Sequence, residues 1–299
     1  MTTVQPARPP WLVQRVAPGS FEKVSGLLGG LGLHTVCQSA HCPNIGECFG
    51  HGTATFLILG GVCTRRCRFC AVPKGETAPP DPGEPARVAQ AAAALGLRHA
   101  VVTSVTRDDL PDGGAAHFAA VIAAIRAACG ASVEVLTPDF AGREDSLAAV
   151  LAASPEVFNH NLETVPRLYP SVRPGADYRR SLGLLAAAAR RPVLVKSGLM
   201  LGLGEQESEI RAVLADLAAA GVRAVTLGQY LRPSAGHLPV SEYIHPDQFR
   251  RYEETAYALG FSHVAAGPLV RSSYHAAAFV DGPQKKNVTL DTNTSSVIK

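Results

Sequence analysis

Apolar residues recur along this chain in two alternating rhythms. Short apolar runs bounded by Gly, Pro, Asn or Asp fall at 55–60, 99–104, 133–138, 156–161, 193–198 and 224–228, and predict strands. Alanine- and leucine-rich stretches with apolar positions three and four apart follow at 86–95, 114–128, 143–152, 178–190, 205–219 and 246–259, and predict helices. One helix follows each strand, six times over. That order predicts a parallel α/β sheet. Periodicity alone weighs two forms of it about equally: an incomplete (β/α)6 TIM-like barrel and a doubly wound nucleotide-binding sheet.

Flanking segments break the rhythm. Residues 1–52 are rich in Gly, Pro and Cys and predict an irregular N-terminal extension around a metal site. The barrel is expected to fill 53–262, with a C-terminal segment at 263–282. The tail at 283–299 is polar and aperiodic, hence expected to be mobile. No apolar run approaches the roughly 18–20 residues that a membrane helix needs. Pro9, Pro10 and Pro18 interrupt the first twenty residues, where a secretory signal would be continuously apolar. A cytoplasmic chain without a membrane partner is expected. The net charge of +3 marks no nucleic-acid surface, though a local basic patch could meet an acidic partner.

In a reducing compartment, seven cysteines read as ligands or catalysts rather than disulfides. Six of them lie between Cys37 and Cys70. Cys63-Thr-Arg-Arg-Cys67-Arg-Phe-Cys70 follows the first predicted strand, at the end where parallel folds place their sites. Three soft thiolates within eight residues can each bind one iron of a cube, leaving the fourth iron open for a small molecule. Arg65, Arg66 and Arg68 add positive charge, which favours thiolate over thiol. Two alternatives stand beside this reading. The spacing also fits one face of a helix, as buried structural cysteines; a zinc site would need a fourth ligand, such as His41 or His51.

The spacing Cys-x3-Cys-x2-Cys, with an aromatic before the last cysteine, resembles the radical S-adenosylmethionine (SAM) superfamily. The resemblance implies a partial barrel and a [4Fe–4S] cluster whose open iron binds the amino and carboxylate groups of SAM. One electron then splits the sulfonium into methionine and a 5′-deoxyadenosyl radical, which takes hydrogen from the substrate. Upstream, Cys37-Gln-Ser-Ala-His-Cys42-Pro-Asn-Ile-Gly-Glu-Cys48 offers three more thiolates, with Pro43 and Gly46 bending the chain around a compact object. Two tight triplets separated by a strand count as two clusters rather than one six-cysteine site.

With both triplets in view the chain resembles the lipoyl synthase family, from Pro9-Pro10-Trp11 to about His275. The segments that carry the likeness include Thr103-Ser-Val-Thr-Arg107-Asp108-Asp109-Leu110, Phe158-Asn159-His160-Asn161-Leu162-Glu163, Val172-Arg173-Pro174-Gly175, Lys196-Ser197-Gly198-Leu199-Met200, Leu227-Gly228-Gln229-Tyr230 and Arg271-Ser272-Ser273-Tyr274. The resemblance implies insertion of two sulfurs at carbons 6 and 8 of an octanoyl chain held on a lysine of a lipoyl carrier. Such carriers are the acyltransferase subunits of 2-oxoacid dehydrogenases and the glycine cleavage H protein. It also implies that Cys37, Cys42 and Cys48 hold an auxiliary [4Fe–4S] cluster consumed as sulfur donor. The serine on its fourth iron would be Ser273 rather than Ser272. A low-potential donor such as ferredoxin or flavodoxin and an iron–sulfur carrier protein are the further partners implied.

Other residues are candidates on weaker grounds. Gly202 and Gly204, between a strand and a helix, suit backbone approach to an adenosyl group. Asn161 and Glu163 close the fourth predicted strand and suit ribose hydroxyls. Arg173 suits the carboxylate of SAM. Arg107 with Asp108 or Asp109 reads as an orienting ion pair, and Cys129 as a small buried residue. Two rival functions are an RNA methylthiotransferase, which would carry an added basic β-rich domain, and a two-cluster electron-transfer protein, which would need four protein ligands per cluster.

Overall fold

The computed structural model describes residues 7–13, 20–40, 42–50 and 54–280. His41, His51, Gly52, Thr53 and the 283–299 tail lie outside the described residues.

The N-terminal extension is more regular than its glycines and prolines suggest. It holds helix α1 (Ser20–Gly30), strand β1 (His34–Thr35) and the short helices α2 (Val36–Ser39) and α3 (Ile45–Gly50). Val24 and Leu28, one turn apart on α1, are buried with Phe49 of α3, so a small apolar seam orders the segment. The side chain of Thr35 accepts from Gln38 N and caps α2.

The six expected strands are all present: β2 (Thr55–Ile58), β3 (His99–Ser104), β4 (Ser132–Leu136), β5 (Val157–Asn159), β6 (Leu194–Leu201) and β7 (Ala224–Gln229). A further strand, β8 (His263–Gly267), lies parallel to β7, in the segment expected to follow the barrel. At the other edge β1 pairs antiparallel with β2, His34 opposite Leu57. The order is β1 through β8 without reversal, and the two edges are not joined. A doubly wound sheet needs a reversal of strand order. The helices α4 (Glu84–Ala94), α5 (Ala115–Cys129), α6 (Glu144–Ala152), α8 (Tyr178–Ala188), α9 (Glu207–Ala219) and α10 (Pro246–Ala258) touch one another in succession. The short α7 (Tyr169–Val172) precedes α8. Sequential strands with sequential helices make an open, partial barrel.

The helices start where their sequences direct. Asp177 caps α8 through Arg180 N, Glu209 reaches back to Gln206 N at 2.9 Å at the start of α9, and Pro246 opens α10. Their apolar faces, with Phe118, Ile122, Leu185 and Leu214, bury against Ile58, Val102, Val135 and Val225 of the strands. Two charges interrupt this core. Glu134 on β4 and Lys196 on β6 are both fully buried, with Lys196 Nζ 2.9 and 3.1 Å from the two carboxylate oxygens. Asn159 of β5, between them, donates to Glu134 at 3.1 Å.

Candidate iron–sulfur sites

Beyond β2 the chain turns at Leu59 (φ +66°) and Gly60 (φ +91°) into the loop that carries the second cysteine triplet. Backbone bonds tie this loop to its surroundings: Cys63 N to Pro73 O at 2.8 Å, Thr64 N to Thr106 O at 3.1 Å and Arg68 N to Val172 O at 2.9 Å. Residues 63–70 form turns and bends, so no helix face explains their spacing. Thr106 N donates to Cys63 Sγ at 3.3 Å. Arg65 points inward, its guanidinium bonded to both carboxylate oxygens of Asp108 (2.7 and 2.9 Å) and to Asp139 at 2.5 Å. Asp139 also accepts from Arg180 at 2.7 Å. Arg107 takes Asp109 instead, so each aspartate of the pair holds a different arginine. Arg66 and Arg68 are exposed.

The arginines do not free the thiols. Burial raises Cys67, with Arg173 and Arg65 opposing, and pushes Cys70 up to about 11. At the first triplet burial raises Cys37 and Cys42 and, with those neighbouring thiols, pushes Cys48 up to about 12. A cation would favour these thiolates, and iron would supply one. Among the described residues no three His, Cys, Asp or Glu side chains converge on a single-ion position. A cube holds each thiolate at a separate corner and does not require that convergence.

Cys37 of α2, Cys42 and Cys48 of α3 line one pocket with Asn44, Thr55, Arg271, Ser273 and Tyr274. The C-terminal segment reaches it because Asn44 Nδ2 donates to Leu269 O at 2.8 Å and Tyr274 Oη donates to Glu47 at 2.9 Å. Ser273, not Ser272, is in this pocket. Ser272 is held elsewhere: its Oγ lies 2.7 and 3.0 Å from the amide atoms of Asn161, and its carbonyl accepts from Lys196 Nζ at 2.6 Å. Gly228 admits the segment, because a Cβ there would stand 2.1 Å from Val270 O.

Arg271 makes the pocket fit an anion. Burial pushes its pKa down, Cys42 opposes, and the only hydrogen bond of its side chain among the described residues is Nη1 to Val270 O at 2.6 Å. A half-buried guanidinium beside three thiols, with no carboxylate partner among the described residues, suits an anionic cluster.

The other candidates gather beside the Cys63 loop. Glu163 adopts φ +67°, its backbone bonded to Gly198 and Met200, and burial raises its carboxyl against the pull of Arg173. Asn161 Nδ2 reaches Glu163 at 3.2 Å as well as Ser272. Arg173 Nη1 donates to the carbonyls of Asn161 and Leu162 and to Tyr169 Oη, while its buried Nε has no partner. That orphaned donor suits a carboxylate. Gly202 and Gly204 have φ of +101° and +107°; Glu205 accepts from Gly202 N at 3.0 Å, and Arg167 donates to Gly204 O at 2.8 Å. Their loop is closed by protein contacts, and Gln229 and Glu242 pack where a Gly202 Cβ would stand. His160 is structural, bonded to Thr137 O and Ser181 Oγ. Cys129 donates to Ile125 O and lines neither site.

Lys196, Glu134, Asn44, Glu47 and Arg271 were not singled out as functional from sequence. The signal for the first two was present: one acid in Val-Glu-Val and one base in Leu-Val-Lys-Ser, each inside an apolar strand.

Comparison with known proteins places the chain in a family. The Radical SAM superfamily profile matches residues 57–217, more than half of the chain. Lipoyl synthase of Caldanaerobacter subterraneus subsp. tengcongensis is 57% identical over 271 residues, 90% of this chain and 95% of that protein. Lipoyl synthase of Geobacter metallireducens is 56% identical over 282 residues, covering 93% and 99%. Among solved structures, Streptococcus suis SuiB bound to its precursor peptide SuiA superposes with a TM-score of 0.57 at 11% identity, covering 79% of this chain and 54% of that one. Methylornithine synthase (PylB) gives 0.52 at 12% identity, covering 83% and 85%. At such identities the structures share the fold alone.

Proposed function

This chain belongs to the lipoyl synthase family within the radical SAM superfamily, and on that premise we propose which of its residues perform the reaction. The enzyme is a sulfurtransferase that inserts sulfur at carbons 6 and 8 of a protein-bound octanoyl-lysine. Family membership sets aside the RNA-modifying and electron-transfer readings.

Cys63, Cys67 and Cys70 hold the [4Fe–4S] cluster that binds SAM, and Cys37, Cys42, Cys48 and Ser273 hold an auxiliary one. When bound, the first supplies the electron that cleaves SAM, and the second supplies the sulfur atoms. The chain's own residues do the rest. Arg65 fixes the Cys63 loop by spanning Asp108 and Asp139, and Thr106 N steadies the Cys63 sulfur. Arg173 offers its unpaired Nε to the carboxylate of SAM, with Asn161 and Glu163 beside it. Gly202 and Gly204 shape the wall of that site, with Gly202 N already given to Glu205. Arg271 balances the charge of the auxiliary cluster. Lys196 and Asn161 hold Ser272 so that the neighbouring Ser273 oxygen stays in the thiol-lined pocket.

One observation carries this reading: a serine near the C-terminal end of the described chain lies in one pocket with three cysteines of the N-terminal extension. An oxygen donor suits iron less well than sulfur, which makes that corner the one to open first. The partners are octanoylated lipoyl domains, among them the acyltransferase subunits and the H protein. A low-potential donor follows from [4Fe–4S] potentials, which extend to about −700 mV at their extreme, and an iron–sulfur carrier would reload the auxiliary site. No helix among the described residues is long and apolar enough to cross a membrane, and we place the reaction in the cytoplasm. Mass spectrometry of an octanoyl-lysine peptide incubated with anaerobically reconstituted enzyme, SAM and reductant tests the assignment. Lipoyl-lysine is expected only when both sites carry iron. Full product from protein lacking iron at Cys37, Cys42 and Cys48 would remove the auxiliary site from the mechanism.

A further inference from the structure

The loop that carries Cys63, Cys67 and Cys70 also has a face open to solvent. Arg66, Cys67, Arg68, Lys74, Gly236 and His237 line an open basin there of about 380 Å³. Among the described residues no carboxylate lines it. Arg66 and Arg68 are exposed, and neither has a side-chain hydrogen bond or ion pair among the described residues. The acids on the neighbouring 106–109 turn are already committed, Asp108 to Arg65 and Asp109 to Arg107 and Thr77. Lys74 Nζ and His237 Nε2 both contact the carbonyl of Cys70, so the basin wall is continuous with the cysteine loop.

This placement of charge does no structural work that the fold requires. Unpaired surface cations add little stability, but three of them around one concavity raise its potential and steer an acidic partner. The chain as a whole carries only +3, so the concentration is local. A thiol of the Cys63 loop lines the basin itself. A redox group docked here comes closer to iron on that thiol than it could from a face that does not reach the loop, and electron tunnelling falls steeply with distance.

We propose that this basin is the docking surface for a small acidic redox protein, which delivers the single electron that the reaction needs. The inference rests on the placement of a cluster at Cys63, Cys67 and Cys70 given above. In the step, the reduced donor loses one electron and the cluster gains it, passing from its 2+ to its 1+ state. No bond and no proton changes hands. The octanoylated carrier is the other acidic candidate. Its acyl chain must reach the sulfur source proposed for the auxiliary pocket, and no residue that lines that pocket belongs to the basin.

The test compares full-length wild-type enzyme, loaded with iron, with R66Q/R68Q and R66E/R68E. The probes are a flavodoxin, the methyl viologen radical cation and an octanoylated lipoyl domain. Binding of oxidised flavodoxin at low ionic strength is expected to weaken about tenfold or more in the charge-reversed variant and less in the neutral one, converging with wild type as salt is added. Stopped-flow reduction of the cluster by flavodoxin hydroquinone should slow in the same order. Reduction by the viologen cation should not slow, and binding of the lipoyl domain should be unchanged. Unaltered flavodoxin affinity overturns the proposal; so does equal slowing with viologen, which would mean a damaged loop, or a loss that falls on the lipoyl domain. Viologen-driven wild-type enzyme that forms no lipoyl-lysine would instead refute the assignment of function and leave the flavodoxin-binding result to stand alone.

Discussion

Ser273 brings a hydroxyl into the pocket lined by Cys37, Cys42 and Cys48, and on the proposed assignment its weakness as an iron ligand would be its use. Ser273→Cys should load iron normally and lower lipoyl-lysine yield about tenfold or more, since holding the fourth iron by about 1.4 kcal/mol more in the way of release is enough. Iron analysis and mass spectrometry of the product check both halves. Lys196 has a different task. Burial opposes ionisation of Glu134, but Lys196 and His99 overcome it and hold that carboxyl below its usual range. Lys196→Met leaves a carboxylate stranded in the core and should destabilise the protein by about 3–5 kcal/mol, as read by urea unfolding. Adding Glu134→Gln should recover much of that loss. His160 provides a pH signature. Thr137 O can only accept, so Nδ1 carries the proton and Nε2 accepts from Ser181. Burial, with Arg173 second, lowers its pKa to about 4. Above about pH 6.5 folded and unfolded forms are both neutral here; below it the unfolded chain takes the proton first. Its contribution is therefore intact above pH 6.5 and lost as pH falls towards 4, by about 3 kcal/mol at the limit. His160→Gln should flatten that part of the stability profile relative to wild type.

At the scale of elements, the contact that matters most for the auxiliary site is between β7 and the chain after β8. Val270 O lies where a side chain on Gly228 would begin, and the van der Waals conflict falls on backbone, which cannot rotate away. Gly228→Ala should push the 270–273 segment outward. About half of the iron should be lost on purification, the share expected of one of two equal clusters, while the SAM-induced spectral change at the remaining cluster persists. The elements themselves were legible where their signal was local. Six strands and six helices follow from periodicity because β2 to β7 are buried runs and α4, α5, α6, α8, α9 and α10 carry apolar stripes. β1 was not legible, since a two-residue strand has no period. Neither was β8, whose His-Val-Ala-Ala-Gly is made of small residues and is only half-buried. The cysteine triplets stood out from spacing alone. The pocket shared by Cys48 and Ser273 did not, because it depends on tertiary contacts such as Asn44 with Leu269 and Tyr274 with Glu47.

On the scale of the whole molecule those contacts join the two ends of the described chain between the two edges of the sheet. The extension pairs with β2 through β1, and the C-terminal segment follows β8 at the opposite edge, so the auxiliary pocket is closed by pieces that the open sheet keeps apart. Ordering of one piece should order the other. Hydrogen exchange should show residues 37–48 and 270–275 gaining protection together when iron is loaded, and Tyr274→Phe should reduce the gain in both. Protection confined to 37–48 would mean that the serine segment is no part of the site. The double anchoring of Ser272 by Lys196 and Asn161 governs the fate of the enzyme once a round of synthesis is over. Both anchors belong to the barrel and neither lines the Cys37–Cys42–Cys48 pocket, so on the proposed assignment the segment would keep its seat when its cargo is gone. An emptied enzyme of this build would then retain the mould for a replacement, to be refilled rather than discarded.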